Sequence, residues 1–430
     1  MKRQLYSLRH TTVAGTLIGH LQPILLLEVL PGDTFRGPIH TLARFTAVKK
    51  PTLTNLDIQQ FFFYVPYRML WSGWETFITQ RSGTPPSVSQ SYGTSGLKTD
   101  GSVIHGFTAE QLLLGTGVNK TVSKFPLIAV QQIFNEFFRD EDDDGLSDSW
   151  YAPTAGNDVV PKVPVVSRRH QLWTEMREGQ AQGDYPEIAV ASNKFSIEKV
   201  RDALRVMRLQ ERREAFGDRY FDILRSYGVR TNFELLEKPE YLGGSRHRVS
   251  FTDVVATGAS TGVSVGDIAG HAITGVRHRM GGKSFREHGL VIGFACIRPR
   301  PVNKAFGWPG RHKLKHDDFW APEYDFQTPV GWDSNARTDG TPIGYLPKFQ
   351  EYRKVPDVFA QASRSGDDKS SFTSSYVASF GSDTLTLDAL RKESPSDYDD
   401  LFIAESKDWH AYLQTYCGLK AYRLVARHRG

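Results

Sequence analysis

The most constraining stretch of this sequence runs from Leu53 to Ile78. Its first half alternates, with Leu56, Ile58, Phe62 and Tyr64 on one face and Asn55, Asp57 and Gln59 on the other, the pattern of a half-buried strand. At Phe61 and Phe63 the second face turns apolar as well. A strand that begins with one wet face and ends with two dry ones enters the interior of a sheet sandwich or barrel. Pro66 stops it, because proline donates no ladder hydrogen bond. From Tyr67 the period changes, and Leu70, Trp74, Phe77 and Ile78 fall on one stripe of an expected helix.

Length alone does not decide between several ordinary domains and one β barrel with long insertions. A 12% aromatic content with 38 Gly and 22 Pro favours short strands joined by turns. Two cysteines, Cys296 and Cys417, are too few for a disulfide framework or a cysteine-built zinc site, so a reducing compartment is expected. No apolar run approaches the roughly 18 residues of a membrane helix, and Lys2 and Arg3 are not followed by a signal-peptide core. A soluble protein made inside a cell, without membrane insertion, is the expectation.

The net charge of +5 says little, but its distribution says more. Residues 1–27 carry Lys2, Arg3 and Arg9, and residues 409–430 carry Lys420, Arg423, Arg427 and Arg429, with no acidic residue in either segment. Such basic arms are either solvated termini or contacts for a polyanion.

Along the chain, Leu17–Val29 reads as one strand with an edge or bulge at Pro23, closed by a Pro31-Gly32-Asp33 turn. Ile39–Val48 is a second strand, and residues 81–106 read as a loop. Phe125–Arg139 has a helical apolar face, as do the segments after Ser196 and after Asp218. Thr231–Leu236 and Arg248–Val255 are strand candidates separated by Pro239 and Gly243-Gly244, and Leu290–Ile297 reads as a strand buried on both faces. Gly258–Gly282 is expected to be a glycine-rich connection, residues 361–400 a loop, and Ala421–Ala426 the last strand.

The chemical motifs lack their contexts. Gly262-Val263-Ser264-Val265-Gly266 matches a nucleophile elbow without the buried strand before it or the helix after it. Gly281-Gly282-Lys283-Ser284 resembles the end of a phosphate loop whose first glycine is replaced by Arg277, so a flexible basic turn is expected. His312 and His316 have zinc-pair spacing, but Lys313 stands where the catalytic glutamate belongs. Asp140, Asp142, Asp144, Gly145 and Asp148 follow a calcium-loop pattern, yet Tyr151 occupies the position of the bidentate glutamate; calcium is the one candidate ion, against a solvated acidic loop. The residues alone describe a β-rich structural or binding protein.

Several segments are similar in order and spacing to a known family. They are Glu28-Val29-Leu30-Pro31-Gly32-Asp33, Phe61-Phe62-Phe63-Tyr64-Val65-Pro66 with Arg68 and Trp71, and Ile133-Phe134-Asn135-Glu136 followed by Phe138-Arg139-Asp140. Arg219-Tyr220, Tyr227-Gly228-Val229, Pro239-Glu240-Tyr241-Leu242-Gly243-Gly244, Glu287-His288-Gly289 and Gly344-Tyr345 continue the register. Together they resemble the gokushovirus-like major capsid protein of the microviruses, small tailless single-stranded DNA phages. The poorly matched regions are 80–120, 145–195 and 360–405.

The resemblance implies a mainly β fold, an eight-stranded antiparallel jelly roll of the viral capsid type. It implies one domain over residues 1–430, with insertions near 67–125, 126–230, 256–286 and 300–415 and basic arms at 1–15 and 415–430. It further implies a T=1 icosahedral shell around circular single-stranded DNA, no catalytic residues and no required cofactor. The expected partners are further copies of the chain, single-stranded DNA, other phage structural and scaffolding proteins and a host surface receptor. The location is the virion, assembled in the bacterial cytoplasm. Lys2, Arg3, Arg9, Lys420, Arg423, Arg427 and Arg429 are then candidates for DNA contact, and Trp71 and Trp74 for assembly. The shorter chain argues against a large threefold protrusion. The competing class is a carbohydrate-binding protein or enzyme of small oligomeric state on the same fold.

Overall fold

The computed structural model describes residues 3–48, 56–79, 83–85, 87–90, 113, 120–123, 125–138, 201, 204–205, 208, 238–252, 270–299, 313–322, 330–331, 344–346, 348–355, 398, 402 and 409–425. In chain order the elements begin with β1 (Gln4–Ser7), β2 (His10–Thr16), β3 (Gln22–Val29), β4 (Thr34–Phe45) and β5 (Leu56–Pro66). Next come α1 (Tyr67–Leu70), α2 (Trp74–Ile78), β6 (Ser87–Gln90), β7 (Lys120–Ser123) and α3 (Phe125–Phe137). Then follow β8 (Glu240–Val249), β9 (Ile273–Ser284), β10 (Gly289–Pro299), β11 (Val330–Gly331), β12 (Tyr345–Leu346), α4 (Gln350–Arg353), β13 (Ala411–Cys417) and β14 (Lys420–Arg423).

Two antiparallel sheets carry the fold. One has six strands in the order β1-β14-β4-β13-β2, with β9 on the other edge of β4; the second has four, in the order β3-β10-β5-β8. Their facing side chains form a single core: Phe35, Ile39, Ala43 and Phe45 of β4 and Leu413 of β13 meet Leu56, Ile58 and Phe62 of β5 and Val291, Ala295 and Ile297 of β10. The strict period of two in β10 sends its other residues, Leu290, Ile292, Phe294 and Cys296, into a second core on the far side of the sheet. That second core is roofed by α1 and α3 through Tyr67, Leu70, Val130 and Ile133, so β5 and β10 at the centre of the four-stranded sheet are buried on both faces, while the edge strand β8 is largely exposed.

β5 behaves as its pattern predicts. Leu56, Ile58, Phe62 and Tyr64 enter the inter-sheet core, while Phe63 and Val65 enter the outer one. Asp57 departs from the expected wet face: it is buried, and Arg246 of β8 holds its Oδ2 through Nε at 3.1 Å and a second guanidinium nitrogen at 2.7 Å. Pro66 ends the strand, but the expected single helix is broken. Trp71, Ser72 and Gly73 interrupt it, and α2 contains no buried residue, leaving Ile78 46% exposed. The ring of Trp71 fills the space beside Gly73, where a Cβ would fall 2.5 Å from it.

Other expectations change in definite ways. Leu17–Val29 is a turn at Gly19 followed by the single strand β3, and Pro23 sits in this edge strand where the register with β10 shifts, so Ile24 bulges into the core. Pro239 directly precedes β8, and Gly243-Gly244 does not interrupt it. Gly243 and Gly244 lie inside β8, where a bulge and close backbone approach need them: a Cβ on Gly244 would stand 2.2 Å from the carbonyl oxygen of Gln60. Residues 273–284 form a long strand paired along β4, so Gly281-Gly282-Lys283-Ser284 is strand rather than a flexible turn. β13 was not expected, and β14 starts earlier than the forecast last strand. Positions 201, 204, 205 and 208 are helical, in line with the helix after Ser196, and α3 matches its expected span closely. The turn at Gly32, with φ +84°, is as expected. Cys296 and Cys417 are both free and buried. The 262–266 motif, His312, Thr231–Leu236, the helix after Asp218 and, apart from the buried Tyr398, the loop at 361–400 lie outside the described residues.

Candidate nucleic-acid interface

The six-stranded sheet has no counterpart of the α1/α3 roof over its outer face among the described residues. Val13 is 70% exposed there, Ile273 54%, Tyr412 49%, Leu42 44% and Tyr416 43%, values that belong to an open surface. None of its six strands contains an Asp or Glu. The face carries exposed Arg36 and Arg44 from β4, Arg277 and Arg279 from β9, and Lys420 from β14. Arg36, Arg44, Arg277 and Arg279 form no ion pair among the described residues.

Strand pairing sorts these side chains into rows that cross the sheet. Tyr412 lies opposite Arg44, and Arg44 opposite Ile273; on the other side Tyr412 pairs with Gly15, on which the Trp409 ring rests. Four residues further along each strand, Tyr416 lies opposite His40, and His40 opposite Arg277. Between these rows run Val13, Gln414, Leu42 and Gly275. Cations beside exposed aromatic rings on strands without Asp or Glu suit a polyanion with flat bases: phosphates meet charge, and bases meet π faces.

The chain as a whole matches a known family. A family model described as capsid protein (F protein) matches residues 1–176 and 162–427. The chain belongs to this phage F capsid-protein family. Capsid protein VP1 of Chlamydia phage 1 is 24% identical, the alignment covering 78% of this chain and 80% of the relative. Capsid protein VP1 of Bdellovibrio phage phiMH2K is also 24% identical, with 78% of each chain covered. Capsid protein F of Escherichia phage G4 is 22% identical over 70% of this chain and 67% of its own. The chain is accordingly a microvirus major capsid protein and a component of the virion.

Within this capsid protein the predicted DNA residues divide. Arg3 and Arg9 are exposed at positions that alternate outward with Leu5, Ser7 and Thr11, and Lys420 pairs with Arg36 on the open face. Arg423 turns the other way. Its Nε lies 2.9 Å from Asp33 and it donates a 2.7 Å hydrogen bond to the Glu28 carbonyl, so its charge is engaged within the subunit. Lys2, Arg427 and Arg429, and the calcium candidates Asp140, Asp142, Asp144 and Asp148, lie outside the described residues. The expected basic arms are partly sheet: β1 and β14 pair with each other and extend the open face.

Trp71 and Trp74 are half-buried and pack inside the subunit. Trp74 lies tilted against Tyr67 at 4.7 Å and meets His288 edge-on at 5.7 Å, and Trp71 lies 6.4 Å from Phe125. The Tyr67 hydroxyl donates to Glu28 at 3.4 Å, and burial, reinforced by that carboxylate, pushes its pKa up. Sequence reading missed Arg36, Arg44, Arg277, Arg279, Tyr412 and Tyr416, which lie on β4, β9 and β13.

Proposed function

We propose that this capsid protein is the repeating subunit of a closed T=1 shell, with the open face of its six-stranded sheet turned inward onto packaged single-stranded DNA. The contrast between the two outer sheet faces among the described residues carries this reading: one is roofed by apolar helices, while the other is uncovered, basic and built of strands without Asp or Glu. The strands β2, β13, β4, β9 in one sheet and β3, β10, β5, β8 in the other support a jelly roll, because most chain-consecutive members alternate between the sheets. The role is structural rather than catalytic. In a closed shell each subunit uses several modest interfaces, later contacts becoming effectively intramolecular, and scaffolding proteins and a host receptor act on its other surfaces.

Electron microscopy of the purified protein tests the assembly reading. Uniform closed particles are expected; monomers or small oligomers under all assembly conditions would favour the carbohydrate-binding or enzymatic alternative.

A further inference from the structure

Five large apolar side chains stand out from the connection between β10 and β13: Leu314 is 86% exposed, Val355 73%, Tyr352 58%, Phe319 55% and Trp320 52%. The two segments that carry them are pinned to each other. Lys313 holds its ammonium 3.7 Å from the centre of the Tyr352 ring and pairs with Glu351 at 2.8 Å. Asp318 accepts hydrogen bonds from the Leu314 and Lys315 amides at 2.9 and 2.8 Å, closing the turn from which Phe319 and Trp320 leave. On the other segment, Phe349 is buried and keeps a left-handed backbone, φ +65°, that bulky residues rarely adopt; its side chain anchors the start of α4. Trp71 and Trp74 pack inside the subunit, whereas Trp320 and Tyr352 are held on fixed backbone and left open.

We infer that this pinned pair of segments is a contact between copies of the chain, with Leu314, Trp320 and Tyr352 seated against a neighbouring subunit. The assignment rests on the shell reading proposed above and names one of its interfaces. Area is the first argument. One exposed leucine needs no explanation, but five large apolar groups on two joined segments do. At about 150–250 Å² for each aromatic side chain, Phe319, Trp320 and Tyr352 leave roughly 300 Å² open, and Leu314 and Val355 raise the total to roughly 500 Å². One side of a standard protein interface buries about 800 Å², about 60% of it apolar, so the five side chains supply the apolar share of one such side. Chemistry is the second argument. The cation nearest the Tyr352 ring, Lys313, is answered by Glu351 within the subunit and is not left for a phosphate. Tryptophan and tyrosine are also the residue types that dominate the energy of protein contacts. In a shell of capsid protein, the surface that every subunit meets at its border is another copy of itself.

Photo-cross-linking from benzoylphenylalanine placed at position 320 tests the contact in a mixture of light and heavy isotope-labelled copies of the purified chain. Cross-linked peptide pairs of mixed label are expected. Cross-links confined to single chains, or in whole particles formed only to DNA or to a different protein, overturn the assignment. Mixed-label pairs in small oligomers that never close uphold the contact and refute the shell reading instead. A second arm uses Leu314→Glu with Trp320→Glu. The double variant is expected to raise the subunit concentration needed for assembly by about tenfold or more, with the melting temperature of the subunit unchanged. Unchanged assembly overturns the contact. A lowered melting temperature does so too, because it shows that these side chains serve the subunit's own fold.

Discussion

Arg423 places its Nε 2.9 Å from Oδ2 of Asp33, a carboxylate with no solvent exposure. The pair ties the last strand of the larger sheet to the turn between β3 and β4, and Asp33 also accepts a 3.0 Å hydrogen bond from the Leu30 amide. Removing the guanidinium strands a buried charge, which costs roughly 3 kcal/mol when no partner replaces it. Arg423→Ala is therefore expected to lower the urea midpoint of the subunit, and adding Asp33→Asn to restore part of the loss. The same single variant leaves DNA content unchanged, which sets Arg423 apart from the arginines of the open face. A fall in DNA content without a fall in stability would reverse this assignment.

His278 supplies a pH dependence. Its ring stacks on Phe62 at 4.8 Å, is hydrogen-bonded to the backbone of Gly244, and has Nε2 without a partner. Burial pulls its pKa below the usual value, so the folded chain prefers the neutral ring. Between the folded pKa and about 6.5 the unfolded chain therefore holds more protons. Stability from this site is complete above about pH 6.5 and declines as pH falls toward and through the folded pKa. Thermal melts of wild-type protein are expected to drop more steeply below that pH than those of His278→Gln. Parallel curves would remove His278 from the account.

Gly244 fixes how β8 joins β5. Its missing side chain lets the Gln60 carbonyl approach, and a Cβ would lie 2.2 Å from that oxygen and 2.6 Å from the Tyr241 hydroxyl. Backbone cannot yield as a side-chain tip does, so Gly244→Ala is expected to destabilise by roughly 1–3 kcal/mol or more. Gly275→Ala, in open space, is expected to have no comparable effect on the melt. Similar melts for both alanine variants would contradict the packing described for β8.

What could be read from the sequence follows where its pattern is local. β5 and β10 announced themselves, because alternation and a continuous apolar run are visible within one strand. β9 was hidden by Gly275, Gly281 and Gly282, whose composition resembles a loop although pairing with β4 holds them extended. The break at Trp71–Gly73 was hidden too, since an apolar stripe at helical spacing does not reveal that one ring will pack against the turn that interrupts it. The interface was legible in part. The acid-free termini were seen, but residues 34–56 and 268–286 are equally free of Asp and Glu, and these windows contain β4 and β9. Scanning for missing acids along the whole chain, rather than at its ends, would have found Arg44 and Arg277. Their convergence with Tyr412 and Tyr416 depends on long-range register that no local pattern encodes.

The open face also predicts a salt response. Each phosphate contact removed lowers the slope of log affinity against log salt by about 0.7 for a single strand. Arg44→Ala and Arg277→Ala are each expected to reduce the slope for an oligothymidylate by that amount, and Arg423→Ala to leave it unchanged. Equal slopes for all three variants would show that the face does not hold phosphates.

The most direct test of the central claim is an electron cryomicroscopy reconstruction of the DNA-filled particle. The account predicts a closed shell in which the Tyr412, Arg44 and Arg277 face lines the interior and contacts nucleic-acid density. The same face on the particle's outer surface, or sealed within a contact between subunits, would contradict it.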